Sequence, residues 1–230
     1  MRRYEKVTTV DRYSTGDRIN HWITAACLIL LALSGFALFH PSLFFLTSLF
    51  GGGQWTRILH PYIGIVLVVS FLGLFLRFVW YNFPNLDDVR YLGRLRDAIA
   101  GNEERLPEVG RYNALQKIVF WGMATFITLL VISGLGLWDV YFASYLTIEQ
   151  KRLCAVIHAV AAVGMVLTII LHVYAGIWVR GTVRAMTLGT VTGGWAWRHH
   201  RKWLRREVKS GKNVHAPSSA EPLGDRAMAE

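Results

Sequence analysis

The sequence predicts an all-α integral membrane protein: a four-transmembrane-helix bundle with an interfacial helix near its C-terminus. Hydrophobic residues make up 53% of the 230 residues, a balance too apolar for a soluble domain of this size. Four apolar runs, at about 19–39, 58–80, 115–138 and 153–179, are each long enough to cross a bilayer as a helix. We therefore expect one transmembrane domain over residues 19–180.

The first apolar run also has the layout of a signal peptide, because a polar basic arm, residues 1–18, precedes it. However, the run has about 21 residues, which is enough to span a bilayer. It ends in FALFHP, which lacks the small-residue pattern of a cleavage site. We therefore expect this run to remain in the protein as the first span.

Basic residues are distributed unequally between the two sides of the predicted bundle. The N-terminal arm and the segment 81–113 contain five each, and the tail from Arg180 contains ten, whereas the opposite side has Arg57, Lys151 and Arg152. Cytoplasmic segments are the ones enriched in Lys and Arg. Both termini are therefore expected in the cytoplasm. This distribution accounts for the net charge of +10, so we expect no nucleic-acid partner.

The stretch after the fourth span is too polar to cross the membrane again. Within 181–209, the sequence WAWRHHRKWLRRE mixes aromatic and basic residues, a pattern typical of a helix that lies on the membrane surface. His199 and His200 are expected on the wet basic face of this helix and not in a metal site. Residues 210–230 are rich in Pro, Ser, Ala and acidic residues and are predicted to be disordered.

Two histidines, His158 and His172, lie inside the fourth apolar run. Ionisable side chains in such segments usually face the bundle interior or a cofactor. They are 14 residues apart, which in a helix is about 40° short of four full turns, so both lie on one face. The rise over 14 residues is about 21 Å, so they lie at two depths in the membrane. This geometry suits two haems stacked across the membrane, because neutral imidazole is a common ligand of haem iron.

Two further histidines match these two depths. His21 opens the first span on the cytoplasmic side, where His172 lies near the end of the fourth span. His60 opens the second span on the outer side, where His158 lies near the start of the fourth. We therefore expect two b-type haems, one held by His21 and His172 and the other by His60 and His158. Taken singly, His21 or His60 would more often be an interfacial or hydrogen-bonded residue.

The cysteines, glycines and acidic residues bear on which kind of cofactor or metal site the bundle could hold. The two cysteines have no C-x-x-C-H spacing, which excludes covalently attached haem and an iron–sulfur cluster carried by this chain alone. Gly64 and Gly176, each one turn after a predicted ligand, would let a porphyrin lie against the backbone, although close helix packing explains them too. A metal-ion transporter is a remote alternative, since such a site needs converging ligands, commonly with carboxylates. No Asp or Glu lies inside any predicted span.

A faint internal repeat relates the two halves of the bundle. Leu-Ala-Leu-Ser-Gly around Ser34 resembles Leu-Val-Ile-Ser-Gly around Ser133, and Leu59-His60 resembles Ile157-His158. The offsets of 99 and 98 residues would match the first span with the third and the second with the fourth. Chance likeness among apolar helices with small residues is an equally weighted alternative.

Several motifs together resemble those of the dihaem cytochrome b subunit, or gamma subunit, of respiratory formate dehydrogenase. They are Arg12-x5-Arg18-x2-His21-Trp22, Leu59-His60-Pro61, Gly110-Arg-Tyr-Asn-Ala-Leu-Gln-Lys117, Ile157-His158 and Leu171-His172-Val-Tyr-x-Gly176, and the likeness covers about residues 10–209. The histidine pattern is shared with the cytochrome b subunit of membrane-bound nickel-iron hydrogenase, which is the alternative identity. The segment around Asn113 is the narrower formate dehydrogenase feature, although Leu115 stands where that family usually has Gly.

The resemblance implies a function, partners and a location. Electrons from formate, oxidised on a molybdenum- or tungsten-pterin subunit, would arrive through an iron–sulfur subunit and cross the two haems. They would reduce a quinone, menaquinone or ubiquinone, at the cytoplasmic side of a bacterial inner membrane.

The resemblance also implies a quinone site. Asn113 would contact the quinone oxygen, with Tyr112 and Gln116 as further candidates. From the residues alone, the alternative role of Asn113 is a helix N-cap before the third span. We favour the quinone role, because His172 is expected at the same depth.

Overall fold

The computed structural model describes residues 9–215, which form two compact units. The membrane unit contains residues 16–83 and 115–178. Of the described chain, the polar unit contains residues 9–15, 84–114 and 179–215. Residues 1–8, within the predicted N-terminal arm, and 216–230, within the predicted disordered tail, lie outside the described residues.

Besides a ten-residue 3-10 helix, Pro41–Phe50, and shorter ones, the described chain contains short strands and α-helices of very different length. In order they are β1 (Thr9–Asp11), α1 (Thr15–Phe39), α2 (Gly53–Phe78), α3 (Leu86–Leu92), α4 (Leu95–Ile99), α5 (Ala114–Leu137), α6 (Ile148–Trp178), α7 (Thr182–Thr187), β2 (Thr190–Thr192), α8 (Gly193–His199), α9 (Arg201–Ser210) and β3 (Val214–His215).

The four long helices, α1, α2, α5 and α6, are each apolar and long enough to cross a bilayer. This confirms the expected four-span bundle. The helices α2 and α6 begin at Gly53 and Ile148, about one turn before the predicted spans. An apolar run marks the part of a helix suited to hydrocarbon, whereas i→i−4 hydrogen bonding continues into the more polar residues at its ends.

A buried apolar cluster lies at the middle of the membrane unit and takes one residue from each long helix. These residues are Cys27, Leu67, Ile127 and Met165. Cys27 is a free thiol and packs here as a small apolar side chain.

The polar unit contains a three-stranded antiparallel sheet with β1 at its centre. Val10 of β1 pairs with Val191 of β2 on one side and with Val214 of β3 on the other. Strand β3 therefore gives regular structure to the beginning of the stretch 210–230, which the sequence predicts to be disordered. The central strand obtains partners from both sides, so its backbone N–H and C=O groups are paired within the unit.

The predicted interfacial helix is two helices, α8 and α9, separated at His200. Their apolar side chains pack against the protein: Trp195, Trp203 and Leu204 are buried with Val10 and Val191 in the core of the polar unit. The basic residues of α9 pair with acids of the 84–114 segment, Arg205 with Glu108 at 2.7 and 2.8 Å and Lys202 with Asp87.

Arg12 is the buried charge at the centre of the polar unit, with 3% of its surface exposed. Its guanidinium carbon lies 4.7 Å from the ring centre of Trp203 and 5.1 Å from that of Trp195, distances at which cation–π attraction is significant. Its Nη2 donates a hydrogen bond to the Arg111 carbonyl at 2.6 Å, and an Arg111 Nη2–H donates to the Arg12 carbonyl. These contacts tie the N-terminal strand to the 84–114 and 179–215 segments.

The expectation that His200 lies on a wet basic face is wrong. Its ring is 1% exposed, and Nδ1 donates to the Gly110 carbonyl at 2.8 Å, because a carbonyl oxygen can only accept. Its Nε2 lies 3.5 Å from Nη2 of Arg12. Burial, reinforced by the positive charge of Arg12, lowers the pKa of His200 well below its ordinary value. His200 is therefore a neutral structural histidine.

We predict that the polar unit loses stability as the pH falls below about 6.5, the ordinary histidine pKa. In the unfolded chain His200 takes up a proton there, whereas in the folded chain its lowered pKa keeps it neutral. Each such histidine contributes up to about 1.4 kcal/mol per pH unit. Burial lowers the pKa of His199 to about 4, so it adds to the same slope. Urea titrations at several pH values, followed by tryptophan fluorescence, measure the effect.

The control variant is His200→Gln, because its amide can still donate to the Gly110 carbonyl but does not titrate. It should flatten the pH dependence between about pH 6.5 and pH 5. An unchanged slope in this variant would show that His200 titrates alike in both states.

Candidate functional site

The four histidines singled out by the sequence lie in the membrane unit and come together in two pairs. The ring centroids of His21 and His172 are 6.2 Å apart, with 47° between the ring planes. Those of His60 and His158 are also 6.2 Å apart, with 62° between the planes. These are the pairs that the depth argument predicts. They join α1 to α6 at one level and α2 to α6 at the other.

The spacing within each pair fits two imidazoles on opposite sides of one metal ion. An imidazole nitrogen binds a metal at about 2.0–2.1 Å and lies about 1.1 Å from its ring centre, so opposed rings have centroids about 6.2–6.4 Å apart. His21, His60 and His158 are half-buried and His172 is exposed, so none of the four rings is sealed inside protein packing. Among the described residues no group of three or more His, Cys, Asp and Glu side chains comes together.

At the level of His60 and His158, each ring is hydrogen-bonded to a serine. Ser34 Oγ lies 2.7 Å from Nδ1 of His60, and Ser133 Oγ lies 3.0 Å from Nδ1 of His158. Both serines are almost fully buried, at 0% and 2% exposure. Because the contact is made through Nδ1, the Nε2 atom of each histidine remains available to a metal.

At the level of His21 the polar contacts are different. Asn20 and Ser70 join α1 to α2, since Asn20 Nδ2 donates to the Ser70 carbonyl at 2.9 Å and Ser70 Oγ donates to Asn20 Oδ1 at 2.6 Å. The hydroxyl of Thr24 lies 2.6 Å from that of Ser70. His21 takes no part in this network: its Nδ1 is buried and has no hydrogen-bond partner among the described residues.

The two levels are separated by the apolar cluster of Cys27, Leu67, Ile127 and Met165. On α6, Met165 is midway between His158 and His172, which places it about 10.5 Å from each along the helix axis. The membrane unit therefore has a buried apolar layer between two levels at which imidazoles face each other.

Glycines lie beside the predicted ligands. A Cβ added at Gly64 or Gly176, each one turn after a histidine and on the same helix face, would meet no atom within 4 Å. Flat cofactors need such open backbone next to their ligands. The residues present thus fit haem through donor type, ring spacing and the small residues beside the rings.

The candidate quinone residues lie around the start of α5. Asn113 directly precedes that helix and is half-buried, and Gln116 lies in its first turn. The ring of Tyr112 lies 5.6 Å from the guanidinium carbon of Arg12. Burial raises the pKa of Tyr112 above its ordinary value, so the phenol is neutral.

A model of the prokaryotic cytochrome b561 family matches residues 12–194. The chain belongs to this family. The match contains all four paired histidines, and the cytochrome b family implies b-type haem.

Three relatives of this cytochrome b561-family chain are named as cytochrome b subunits of formate dehydrogenase. The cytochrome b556(fdo) subunit of Escherichia coli K12 is 42% identical over 88% of this chain and 95% of its own. The nitrate-inducible cytochrome b556(Fdn) subunit of the same organism is 39% identical, over 84% and 89%. The cytochrome b556 subunit of Haemophilus influenzae formate dehydrogenase is 33% identical, over 88% and 85%. The resemblance inferred from the motifs is confirmed.

Sequence reasoning missed the contacts of Ser34 and Ser133 with the histidines. The signal was present, because both serines belong to the Ser-Gly elements of the internal repeat, and each precedes its histidine by nearly the same interval, 26 and 25 residues. A serine in a membrane helix is common at helix contacts. For that reason its type alone did not indicate a partner.

We predict that alanine substitutions at the two glycines that follow these serines, Gly35 and Gly134, affect haem binding unequally. A Cβ at Gly134 would lie 3.2 Å from Cε1 of His158, so the ring must move by a few tenths of an ångström, whereas a Cβ at Gly35 would lie an ordinary 3.6 Å from Cε1 of His60. Overpacking of this kind costs about 1–3 kcal/mol. Gly134→Ala should lower haem content or broaden the haem spectrum, and Gly35→Ala is its matched control. Equal behaviour of the two variants would contradict the difference in packing.

Proposed function

We propose that this chain is the membrane cytochrome b subunit of a formate dehydrogenase and conducts electrons from partner subunits to quinone at the cytoplasmic side. The main support is the geometry of the histidines: at each of two levels in the four-helix bundle, two imidazole rings face each other with centroids 6.2 Å apart. The relatives named as formate dehydrogenase subunits give the second support. Formate oxidation itself belongs to another subunit.

Two b-type haems would supply one-electron chemistry, with His21 and His172 holding the cytoplasmic haem and His60 and His158 the outer one. The protein holds the imidazoles in facing pairs and keeps water from the layer between them with the side chains around Met165. Because α6 supplies one ligand at each level, the rise of a single helix sets the separation of the two levels at about 21 Å.

The partners would be an iron–sulfur electron-transfer subunit and a molybdenum- or tungsten-pterin catalytic subunit. This chain has only two cysteines, too few for an iron–sulfur cluster of its own. The donor distinguishes this proposal from a nickel-iron hydrogenase cytochrome b, and the names of the relatives favour formate dehydrogenase. A metal-ion transporter would need more converging ligands than a facing pair.

We propose that both termini lie in the cytoplasm, at a bacterial inner membrane; the unequal distribution of basic residues supports this orientation. Helix α9 would then lie along the cytoplasmic leaflet. Its exposed basic side chains, including Arg206 and Lys209, would face anionic headgroups. Its aromatic residue, Trp203, would take no part in this, because it is buried in the polar unit.

Quinone would bind beside the cytoplasmic haem, with the Asn113 amide at the quinone oxygen and Tyr112 and Gln116 nearby. The support for this site is the family resemblance of the segment 110–117 and its place in the chain, directly before a span whose start is cytoplasmic in the proposed orientation. An amide is a suitable donor, because its N–H can bond a carbonyl oxygen without adding charge.

The first prediction of this function concerns haem content. Purified protein should contain two b-type haems per chain, measured by the pyridine haemochrome assay. Replacing His60 or His158 with Ala should remove the same haem, and replacing His21 or His172 the other, because each pair shares one iron. Paramagnetic resonance of the low-spin ferric signals identifies the haem that is lost. Loss of the same signal from His21→Ala and His158→Ala would refute the pairing, and no haem at all would refute the function.

The second prediction separates the two roles of Asn113. Asn113→Asp keeps a good N-cap but removes the amide donor. In the assembled complex it should leave both haems bound and reducible by formate, yet slow their reoxidation by quinone. One lost hydrogen bond costs about 0.5–1.5 kcal/mol, or about 2- to 13-fold in an equilibrium. Asn113→Ser, also a cap, should act in the same direction. Normal reoxidation in both variants would leave Asn113 a capping role.

A further inference from the structure

Ser34 and Ser133 make the same two contacts at corresponding places in the bundle. Each hydroxyl lies against the Nδ1 atom of a predicted haem ligand, at 2.7 Å from His60 and 3.0 Å from His158. Each also donates to the carbonyl one turn earlier in its own helix, Ser34 to Leu30 at 2.8 Å and Ser133 to Leu129 at 2.6 Å. Two separate helix pairs therefore build one arrangement.

These contacts determine the position of a proton on each ring. A hydroxyl has one hydrogen, and a carbonyl oxygen at 2.6–2.8 Å must receive it, since two oxygen lone pairs at that distance would repel each other. The serine oxygen then has only lone pairs left for the imidazole. Nδ1 of His60 and of His158 must therefore carry the hydrogen, and each Nε2 must carry the free lone pair.

We propose that Ser34 and Ser133 are positioning residues for the outer haem. They hold His60 and His158 as Nδ1–H tautomers with Nε2 directed to the iron, and they lower the reduction potential of that haem. This inference rests on the proposed ligand role of the two histidines. A ligand imidazole that donates its second N–H to an acceptor is a stronger base toward the metal. Stronger donation favours the ferric state, so the potential falls.

The cytoplasmic level lacks this device. Nδ1 of His21 is buried without a hydrogen-bond partner among the described residues. The hydroxyls of Thr24 on α1 and Ser70 on α2 bond to each other and to Asn20. The serines thus act at one level only and place the outer haem at a lower potential than it would otherwise have, which favours electron movement toward the cytoplasmic level.

The test is a redox titration of Ser34→Ala and Ser133→Ala in the full chain, followed at the b-haem absorption and by paramagnetic resonance. Alanine is smaller than serine and a better helix former, so the helices should persist. Both haems should remain, and the outer haem should become easier to reduce. Loss of one hydrogen bond changes the equilibrium about 2- to 13-fold, which is about 20–65 mV at 59 mV per decade for one electron. The cytoplasmic haem should keep its potential.

Two control variants and one double variant complete the test. Thr128 makes the same bond to the carbonyl one turn earlier, Ala124, on the helix that carries Ser133, so Thr128→Val should leave both potentials unchanged. Ser34→Thr retains a hydroxyl and should stay near the wild-type potential. The double alanine variant should raise the outer potential further than either single variant, because each serine acts on a different ligand of the same iron.

Each outcome bears on a separate claim. An unchanged outer potential in both alanine variants, with haem bound, would overturn the role of the serines but leave the ligand assignment intact. Loss of the outer haem in both variants would show that the serines retain the cofactor and do not tune it, which would also overturn the proposal. Absence of two haems in the wild-type protein, or their survival in His60→Ala, would instead refute the proposed function.

Discussion

An imidazole nitrogen buried in an apolar bundle costs free energy unless it has a polar partner, and this constraint governs the packing around His60 and His158. At the level of His60 and His158 the Nδ1 atoms are bonded to buried serines of neighbouring helices, which leaves the Nε2 atoms for a metal. The residue after each serine is glycine: a Cβ at Gly134 would lie 3.2 Å from Cε1 of His158, whereas one at Gly35 would make an ordinary 3.6 Å contact with Cε1 of His60. The contacts between serine hydroxyls and imidazole rings therefore join α1 to α2 and α5 to α6.

The same serine–histidine contact occurs between α1 and α2 and between α5 and α6. This likeness supports the internal repeat, for which the sequence alone left chance resemblance as an alternative. The repeat accounts for the level of His60 and His158 but not for that of His21 and His172. At the offsets of 99 and 98, the positions corresponding to His21 and His172 are Phe120 and Leu74, neither of which can bind a metal. The pair of His21 and His172 therefore has no counterpart within the repeat and joins α1 to α6. This explains why the polar contacts of the two levels differ.

The parts of the structure that the sequence predicted are those governed by one dominant constraint. A long apolar run must become a helix in a membrane, because its backbone polar groups have no other partners, and a histidine within such a run needs a reason to be there. The polar unit was not predicted, because an amphipathic pattern does not say what covers the apolar face. Trp203 and Leu204 meet the protein's own strand at Val10, and His200 turns inward to the Gly110 carbonyl. The hydroxyl contacts of Ser34 were missed because a serine carries no such dominant constraint.

The layer around Met165 connects packing with the proposed electron path. A four-helix bundle with ligands at two levels has to remain closed between them, since water there would solvate charge that the bundle otherwise excludes. Each helix contributes one buried apolar side chain to this layer: Cys27, Leu67, Ile127 and Met165. The flexible side chain of Met165 can adapt to its neighbours and fill gaps between them. The interval between the levels is fixed by the number of residues on α6, because insertion of even one residue between His158 and His172 would turn one imidazole by about 100° away from its partner. The helix that sets the spacing of the two levels therefore also sets their alignment.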